Sequence, residues 1–325
     1  MKRLMLTAIV VTAMGTPTKT SELASLSSAT EWINSPPLSA EGLRGKVVLV
    51  QFWTYSCVNW IRTVPYVRAW AQKYREKGLV VIGVHAPEFD FERQLANAHW
   101  GAENFGVDYP VAVDNDFAIW RAFGNQYWPA LYLIDGRGRI RYRHFGEGDY
   151  EQSERVIQKL LVEAGADGVG QHLASVTPHG VEVAAEWRNV KSPETYLGSE
   201  QSENRVSSAT RLRLNQWSLN GDWAVQRQAA VLKQTNGQIA YRFHARDVNL
   251  VMAPGERGNP VRFRVLIDGH PPGAAHGIDV DQQGNGTVTE PRMYQLIRQA
   301  GSIGDRQFEI QFLDAGVEVF VFTFG

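Results

Sequence analysis

Fourteen residues near the N-terminus decide the fold: Val47-Val48-Leu49-Val50-Gln51-Phe52-Trp53-Thr54-Tyr55-Ser56-Cys57-Val58-Asn59-Trp60. The apolar run at 47–50 predicts a buried strand, and the residues after Cys57 follow a helical pattern. Cys57 is the only cysteine in the 325-residue chain. The segment therefore predicts a strand, a short turn and a cysteine at the start of a helix, which is where a redox protein carries its nucleophile.

This order of elements is the thioredoxin arrangement, in which a Cys-x-x-Cys pair carries out dithiol–disulfide exchange. Trp60 stands where the second cysteine of that pair would be. A chain with one cysteine cannot form an intramolecular disulfide. Any exchange must therefore proceed through Cys57 alone.

The residues that follow continue the same plan. Pro65 predicts a kink in the first helix, which ends near Gly78. Strands are predicted at 79–85, 109–113, 130–135 and 139–144, and helices at 91–105, 116–123 and 150–164. A βαβ unit followed by a ββα unit predicts an α/β thioredoxin fold.

The second half of the chain has a different pattern. Helical periodicity nearly vanishes, and runs of alternating apolar and polar residues appear at 211–214, 239–244, 261–267, 308–312 and 317–322. Such alternation between Gly, Asn and Pro turns is typical of antiparallel strands with one buried face. We therefore predict a separate all-β sandwich, with a jelly-roll-like arrangement, after the thioredoxin fold.

These patterns predict four segments. They are a signal peptide at 1–15, a thioredoxin-like redoxin domain at 16–165, a Gly-rich linker at 166–182 and the β-sandwich at 183–325.

The N-terminal residues predict export to the periplasm or another extracytoplasmic compartment. Lys2 and Arg3 precede an apolar run from Leu4 to Met14, and small residues follow it. At about 11 residues the run is shorter than the ~20 that a membrane-spanning helix needs. An ordinary buried N-terminal helix is the alternative interpretation. We expect no transmembrane domain in the mature chain and, without a cysteine after the run, no lipid anchor.

Composition excludes several classes of partner. The net charge is −1, and no long run of like charges occurs. We therefore expect neither a nucleic acid nor an anionic membrane as a partner. His270 and His276 are among eight histidines, but no metal-ligand spacing accompanies them. The sequence predicts no metal and no cofactor.

Several motifs resemble DipZ-type thioredoxin-like proteins, which are relatives of the TlpA and DsbE thiol–disulfide oxidoreductases. They are residues 52–66 around Cys57, His85-Ala86-Pro87-Glu88-Phe89, Tyr127-Trp128-Pro129-Ala130-Leu131-Tyr132-Leu133-Ile134-Asp135, Lys191-Ser192-Pro193-Glu194-Thr195-Tyr196-Leu197-Gly198 and the stretch 262–277. The resemblance implies a C-terminal β-sandwich likened to carbohydrate-binding modules.

The sequence departs from that family in two respects. Family members typically carry a second cysteine where Trp60 stands. Some also carry an N-terminal membrane domain that passes electrons across the membrane, and no stretch of these 325 residues predicts one. The resemblance therefore predicts the fold of this chain more directly than it predicts the activity.

Cys57 and the Trp128-Pro129 pair are the first candidate site residues. A thiol at the first turn of a helix faces unpaired N–H groups and the positive end of the macrodipole, so we expect a lowered pKa. A buried structural cysteine is the alternative. The resemblance implies that Pro129 is cis and holds the backbone of a substrate opposite the cysteine.

Trp60 and Gln51 replace groups that the dithiol mechanism uses. Trp60 could cover Cys57, offer an apolar docking face, or simply pack on the helix with loss of function. Classical thioredoxins place a buried carboxylate at the position of Gln51, and an amide cannot take a proton.

Four further residues are supporting candidates. Trp53 and Tyr55 belong to the cysteine motif. His85 and Glu88 follow the strand predicted beside the first, so they reach the same sheet edge as Cys57. Either could accept a proton, although a surface pair in a loop is the competing interpretation.

The second domain offers a candidate glycan surface. Its aromatic residues could form a platform for sugars, but aromatics in sandwiches more often belong to the core. The residues considered are Trp187, Trp217, Trp223 and Tyr294.

The sequence therefore predicts an envelope thiol–disulfide oxidoreductase-like protein that forms mixed disulfides through Cys57. Its partner would be a thiol- or disulfide-bearing protein or a small thiol. A non-catalytic scaffold that binds protein or glycan is the first alternative. A one-cysteine peroxide reductase, oxidised to a sulfenic acid, is the second.

Overall fold

A computed structural model of the chain describes residues 22–207, 211–255 and 258–325. The predicted signal peptide at 1–15 lies outside the described residues. Within the described part of the chain, no helix is long and apolar enough to span a membrane.

The first domain is built on a six-stranded sheet in the order β1-β4-β3-β2-β5-β6. Its strands are β1 (Glu31–Ile33), β2 (Val47–Trp53), β3 (Leu79–His85), β4 (Val111–Val113), β5 (Ala130–Ile134) and β6 (Ile140–Phe145). β2, β3 and β4 are parallel, and the other pairings are antiparallel. All seven residues of β2 are buried, as its continuous apolar run predicts.

Four helices accompany this sheet: α1 (Val58–Tyr74), α2 (Leu95–Asn104), α3 (Ala118–Phe123) and α4 (Tyr150–Glu163). Short 3₁₀ turns lie at Glu22–Ser28, Arg75–Lys77 and Asp90–Arg93. The last of these corrects the predicted helix at 91–105, whose first part is a 3₁₀ turn and which becomes α-helical only from Leu95. The thioredoxin fold is confirmed.

The second domain consists of two antiparallel sheets. One has the order β15-β12-β17-β10-β9 with β7 beside β17, and the other has the order β14-β13-β16-β11-β8. The strands are β7 (Thr195–Tyr196), β8 (Trp217–Asn220), β9 (Trp223–Val225), β10 (Ala230–Leu232), β11 (Gly237–Phe243), β12 (Asp247–Ala253), β13 (Val261–Ile267), β14 (Asn285–Val288), β15 (Arg292–Arg298), β16 (Arg306–Phe312) and β17 (Glu318–Phe324). Further 3₁₀ turns lie at Gly180–Glu182, Trp187–Asn189 and Gly273–Ala275. The all-β prediction is confirmed.

The predicted strand at 211–214 is wrong. The Arg213 N–H donates a hydrogen bond to the side-chain oxygen of Gln216 at 2.9 Å, and not to a carbonyl of a neighbouring strand. Asn215 then adopts a left-handed conformation, with φ of 67°. This turn chemistry outweighs the short alternating pattern and leads the chain into β8.

The segment predicted as a linker packs along α1 and α4. The Ala174 N–H donates to both carboxylate oxygens of Glu154, at 2.8 and 3.0 Å. The same carboxylate accepts from Trp70 Nε1 at 3.0 Å and Tyr74 Oη at 2.6 Å. One buried carboxylate therefore ties the Gly-rich segment to two helices.

The two domains share a hydrophobic core. Phe320 of β17 is 4% exposed and belongs to the same buried cluster as the side chains around β2 and α1. Its ring centroid lies 5.0 Å from that of Phe89 and 4.8 Å from that of Phe91. The sandwich is thus packed against the segment that follows β3, on the cysteine side of the first domain.

Phe320→Ala is expected to lower the free energy of unfolding by about 3–5 kcal/mol, since it opens a cavity in this shared core. Chemical denaturation monitored by tryptophan fluorescence measures the loss. Leu313→Ala, at a side chain that is 37% exposed, is the control and should cost less than about 1 kcal/mol. Equal losses in the two variants would contradict a shared core.

Candidate functional site

Cys57 caps the N-terminus of α1. β2 ends at Trp53, a three-residue turn follows, and the Cys57 N–H donates to the Thr54 carbonyl at 3.3 Å. The Cys57 carbonyl then accepts from the Ile61 N–H at 3.0 Å, which begins the helical ladder. The predicted strand, turn and cysteine at a helix start are therefore confirmed, and Cys57 is half-buried.

The thiol faces the loop that contains Pro129. Cys57 Sγ lies 3.9 Å from the Trp128 carbonyl oxygen, and the Trp128–Pro129 peptide is cis. Trp128 Nε1 donates to the Ala86 carbonyl at 2.9 Å, and the Pro129 carbonyl accepts from the Gly146 N–H at 2.8 Å. The loop is thus anchored on both sides of the proline and lies directly against the thiol.

The predicted low pKa of Cys57 is wrong. Burial raises the pKa of this thiol well above its ordinary value, and the negative charges of Glu88 and Glu194 raise it further. The N–H groups of Asn59 and Trp60 act in the opposite direction, as the helix start predicts. Desolvation of the sulfur outweighs them.

Glu88 lies between the two domains. Its carboxylate accepts a hydrogen bond from Tyr196 Oη at 2.5 Å, across 108 positions of sequence. Burial raises its pKa to about 8, and the charges of Glu194 and Glu92 add to that effect. The interpretation of His85 and Glu88 as a surface pair in a loop is therefore wrong.

His85 is the last residue of β3 and is fully buried. Its ring packs against Trp53 and Tyr55, with centroids 4.9 and 6.1 Å apart. Burial lowers its pKa to about 3, so the ring is neutral at neutral pH. Neither ring nitrogen has a hydrogen-bond partner among the described residues. These features place His85 in the core of the first domain.

Glu92 is a site residue that the sequence analysis missed. It is fully buried and accepts from Ser56 Oγ at 2.5 Å, the Glu88 N–H at 2.6 Å and the Phe89 N–H at 2.9 Å. It therefore joins the turn before Cys57 to the segment that carries Glu88. An acidic residue in the first turn of a helical segment is the only sequence pattern that could have pointed to Glu92.

Trp60 points into the core and not over Cys57. It is fully buried, its ring stacks on Trp53 with centroids 4.2 Å apart, and it packs nearly perpendicular to Phe105 with centroids 5.3 Å apart. The indole therefore packs among core side chains and presents neither a cover over the thiol nor an exposed docking face. Gln51 is also buried, and its Nε2 donates to Thr63 Oγ1 at 2.8 Å, beneath α1.

The aromatic residues considered for sugar binding do not form one surface. Trp217 and Tyr294 are buried, Trp223 is half-buried, and Trp187 is 56% exposed. The described residues contain no group of three or more His, Cys, Asp or Glu side chains that could hold a metal ion.

Two family models match the chain. Redoxin matches residues 27–161, and the thioredoxin like C-terminal domain matches residues 192–325. The protein DipZ of Mycobacterium tuberculosis is 38% identical over 263 residues, which are 76% of this chain and 36% of that protein. The chain thus spans about a third of the length of this relative.

Shorter relatives match the first domain alone. Thiol-disulfide oxidoreductase YkuV of Bacillus subtilis is 28% identical over 132 residues, covering 41% of this chain and 88% of that protein. Among solved structures, a thiol-disulfide isomerase from Corynebacterium glutamicum is 28% identical with a TM-score of 0.38, covering 41% of this chain and 92% of that one.

We expect Cys57 to react slowly with iodoacetamide in the folded protein, because its raised pKa leaves little thiolate. The midpoint of the pH–rate profile should lie above the ~8.5 of an ordinary thiol. Intact mass spectrometry measures the rate, and the urea-unfolded chain is the control. A folded-state midpoint at or below that of the unfolded chain would contradict the burial of this thiol.

Proposed function

Because the chain is a DipZ-type thioredoxin-like protein with a redoxin domain and a thioredoxin-like C-terminal domain, we propose that it carries out thiol–disulfide exchange through Cys57 alone. The observation that supports this most directly is the position of the thiol. It caps α1 and lies 3.9 Å from the carbonyl of the residue before cis-Pro129. A partner segment lying along this loop would place its sulfur beside Sγ.

The proposed exchange has two steps. The Cys57 thiolate attacks one sulfur of a partner disulfide, forms a mixed disulfide and expels the other sulfur as a thiolate, which takes up a proton. A second, external thiol then attacks the mixed disulfide. Trp60 is buried and carries no sulfur, so the protein cannot resolve the mixed disulfide itself. Release therefore depends on a protein thiol or a small thiol.

Export is part of the proposal. The basic start and apolar run in residues 1–15 support an envelope location, where disulfide-bearing partners persist. A glycan ligand at the second domain stays a prediction, and of its candidate aromatics Trp217 and Tyr294 are buried whereas Trp187 is exposed.

Glutathione disulfide should add one glutathione to the folded protein, at a rate that rises with pH as the thiolate fraction increases. Intact mass spectrometry detects the adduct, dithiothreitol should remove it, and Cys57→Ser should form none.

If no adduct forms at any pH and Cys57 is labelled only after unfolding, the exchange proposal is wrong. That result would support the alternative of a non-catalytic binding scaffold. The peroxide-reductase alternative predicts a different product. Hydrogen peroxide would then yield a dimedone-reactive sulfenic acid faster than glutathione disulfide forms its adduct.

Trp60→Cys should create a dithiol that closes to an intramolecular disulfide under mild oxidation, because Cys57 caps α1 and position 60 lies in the first turn of that helix. Loss of the buried indole should cost about 3–5 kcal/mol of stability. Trp60→Ala is the matched control, with a similar cavity and no second thiol. Two free thiols in a folded, oxidised Trp60→Cys protein would contradict the assigned helix start.

A further inference from the structure

Two exposed aromatic side chains lie next to the loop that faces the thiol. Tyr127 is 51% exposed and Phe145 is 46% exposed, and their ring centroids are 5.0 Å apart. The Phe145 ring also packs against buried Tyr132, with centroids 6.1 Å apart. Together Tyr127 and Phe145 form an aromatic pair on the surface of the first domain. Contiguous apolar surface of this kind marks interaction sites on soluble proteins.

Strand register places the aromatic pair at the same end of the sheet as the thiol. Phe145 stands opposite Ala130 in the β5–β6 ladder, and Ala130 stands opposite the next-to-last residue of β2. Neighbouring strands are about 4.8 Å apart, so Phe145 lies roughly 10 Å from the end of β2. Tyr127 directly precedes Trp128, whose carbonyl oxygen lies 3.9 Å from Cys57 Sγ. The pair therefore borders the thiol site on the β5–β6 side.

The other side of the thiol site is covered by the second domain. β3 and β5 flank β2 on opposite sides. The aromatic residues that follow β3, Phe89 and Phe91, pack against Phe320 of the sandwich. The aromatic pair has no such cover and stays exposed with both domains in place. A partner segment that reaches the thiol thus finds open apolar surface on the β5–β6 side.

The backbone under the aromatic pair is fixed to the sheet. Asn125 is 4% exposed, and its Nδ2 donates to the Tyr127 carbonyl at 3.0 Å. Its side-chain oxygen accepts from Tyr132 Oη at 3.1 Å. The residue after Phe145 donates its N–H to the Pro129 carbonyl at 2.8 Å. A surface held in this way loses little conformational entropy when a partner binds.

Arg143 adds a positive charge to the same face. It stands opposite Tyr132 in the β5–β6 ladder, and its guanidinium lies 5.8 Å from the centroid of that ring. Alternate residues of a strand share a face, so Arg143 and Phe145 point the same way. Arg141 pairs with two carboxylates, whereas Arg143 has no ion-pair partner among the described residues. A free cation beside exposed rings is complementary to an acidic group on a partner.

The size of the aromatic pair fits a peptide segment better than a second copy of the chain. A fully buried aromatic side chain removes about 150–250 Å² from water. Two half-exposed rings therefore offer roughly that area in total. A stable dimer buries about 800 Å² on each partner.

We propose that the aromatic pair and Arg143 form a docking surface that selects the disulfide-bearing partner of Cys57. The partner segment is extended, with an apolar side chain about three residues from its cysteine and an acidic side chain next to the apolar one. An extended chain rises about 3.3 Å per residue, so three residues span the roughly 10 Å between the end of β2 and Phe145. This inference rests on the exchange reaction proposed above and names the class of partner.

Exchange with model peptides tests the apolar part of this selection. Each peptide is a disulfide-linked homodimer with one cysteine per chain and either Phe or Ser three residues away on both sides. The wild-type protein should form its mixed disulfide with the Phe peptide about fivefold faster than with the Ser peptide, as one aromatic contact allows. Intact mass spectrometry measures both rates.

Tyr127→Ala and Phe145→Ala should each reduce this preference, and the double variant should abolish it. The ratio of the two rates is the readout, so a general change in the reactivity of the thiol cancels. Val162→Ala is the matched control and should keep the preference. Its side chain is 60% exposed and lies in the last turn of α4, far along the helix from Phe145. Thermal melting verifies that each variant is folded.

A charge reversal tests the acidic part of the selection. With Asp or Lys placed next to the Phe, the wild-type protein should favour the Asp peptide about two- to threefold at low ionic strength. Arg143→Glu should reverse this order. Arg137→Glu is the control, because Arg137 is exposed in the turn at the other end of the β5–β6 hairpin.

Photocrosslinking locates the docked peptide without any exchange reaction. The probe carries Ser in place of its cysteine and benzoylphenylalanine three residues away, and the protein carries Cys57→Ser. Tryptic mapping should find the cross-link in residues 122–137 or 144–155, which contain Tyr127 and Phe145.

The outcomes separate the docking surface from the exchange reaction. Equal rates for the Phe and Ser peptides, a preference that survives in the double variant, or a cross-link in the second domain overturns the docking surface. A dimer in solution that Phe145→Ala dissociates also overturns it, because a second copy would then occupy the face. If neither glutathione disulfide nor any peptide forms an adduct, the exchange reaction is wrong, and the cross-link alone decides whether the docking surface stands.

Discussion

The packing of Phe320 against Phe89 and Phe91 is the contact on which the arrangement of the site depends. It seats one sheet of the sandwich on the segment after β3, so β7 reaches the thiol edge of the first domain. Through this contact Tyr196 Oη reaches the Glu88 carboxylate at 2.5 Å, and Glu194 comes close enough for its charge to raise the pKa of Cys57. The chemistry of the thiol is therefore a property of the domain pair and not of the thioredoxin fold alone.

The relative sizes of the helix macrodipole effect and the burial effect explain why the pKa of Cys57 is raised although it lies at a helix N-terminus. The macrodipole contributes about 0.3–1 kcal/mol at an exposed helix end. Burial of an ionisable group shifts its pKa by up to 3–5 units, at about 1.4 kcal/mol each. The N–H groups of α1 do favour the thiolate of Cys57. They are the smaller effect beside burial and the charges of Glu88 and Glu194, all of which raise the pKa of this thiol.

Local patterns predicted the elements well, and they failed where contacts are distant in sequence. The buried run of β2, the turn and the helix start at Cys57 follow from adjacent residues, as does the β5–β6 hairpin. The Tyr196–Glu88 bond spans 108 positions, and Glu92 meets Ser56 across 36. No periodicity encodes such pairs. The wrong strand at 211–214 shows the local limit, since one Gln216 side chain was enough to turn the backbone.

A raised thiol pKa also bears on how a one-cysteine exchange would end. A thiol of higher pKa is the stronger nucleophile once ionised and the poorer leaving group. An external thiol that attacks the mixed disulfide would therefore more readily expel a partner sulfur of lower pKa than Cys57. With Trp60 buried where a resolving cysteine would stand, the mixed disulfide on Cys57 should be long-lived.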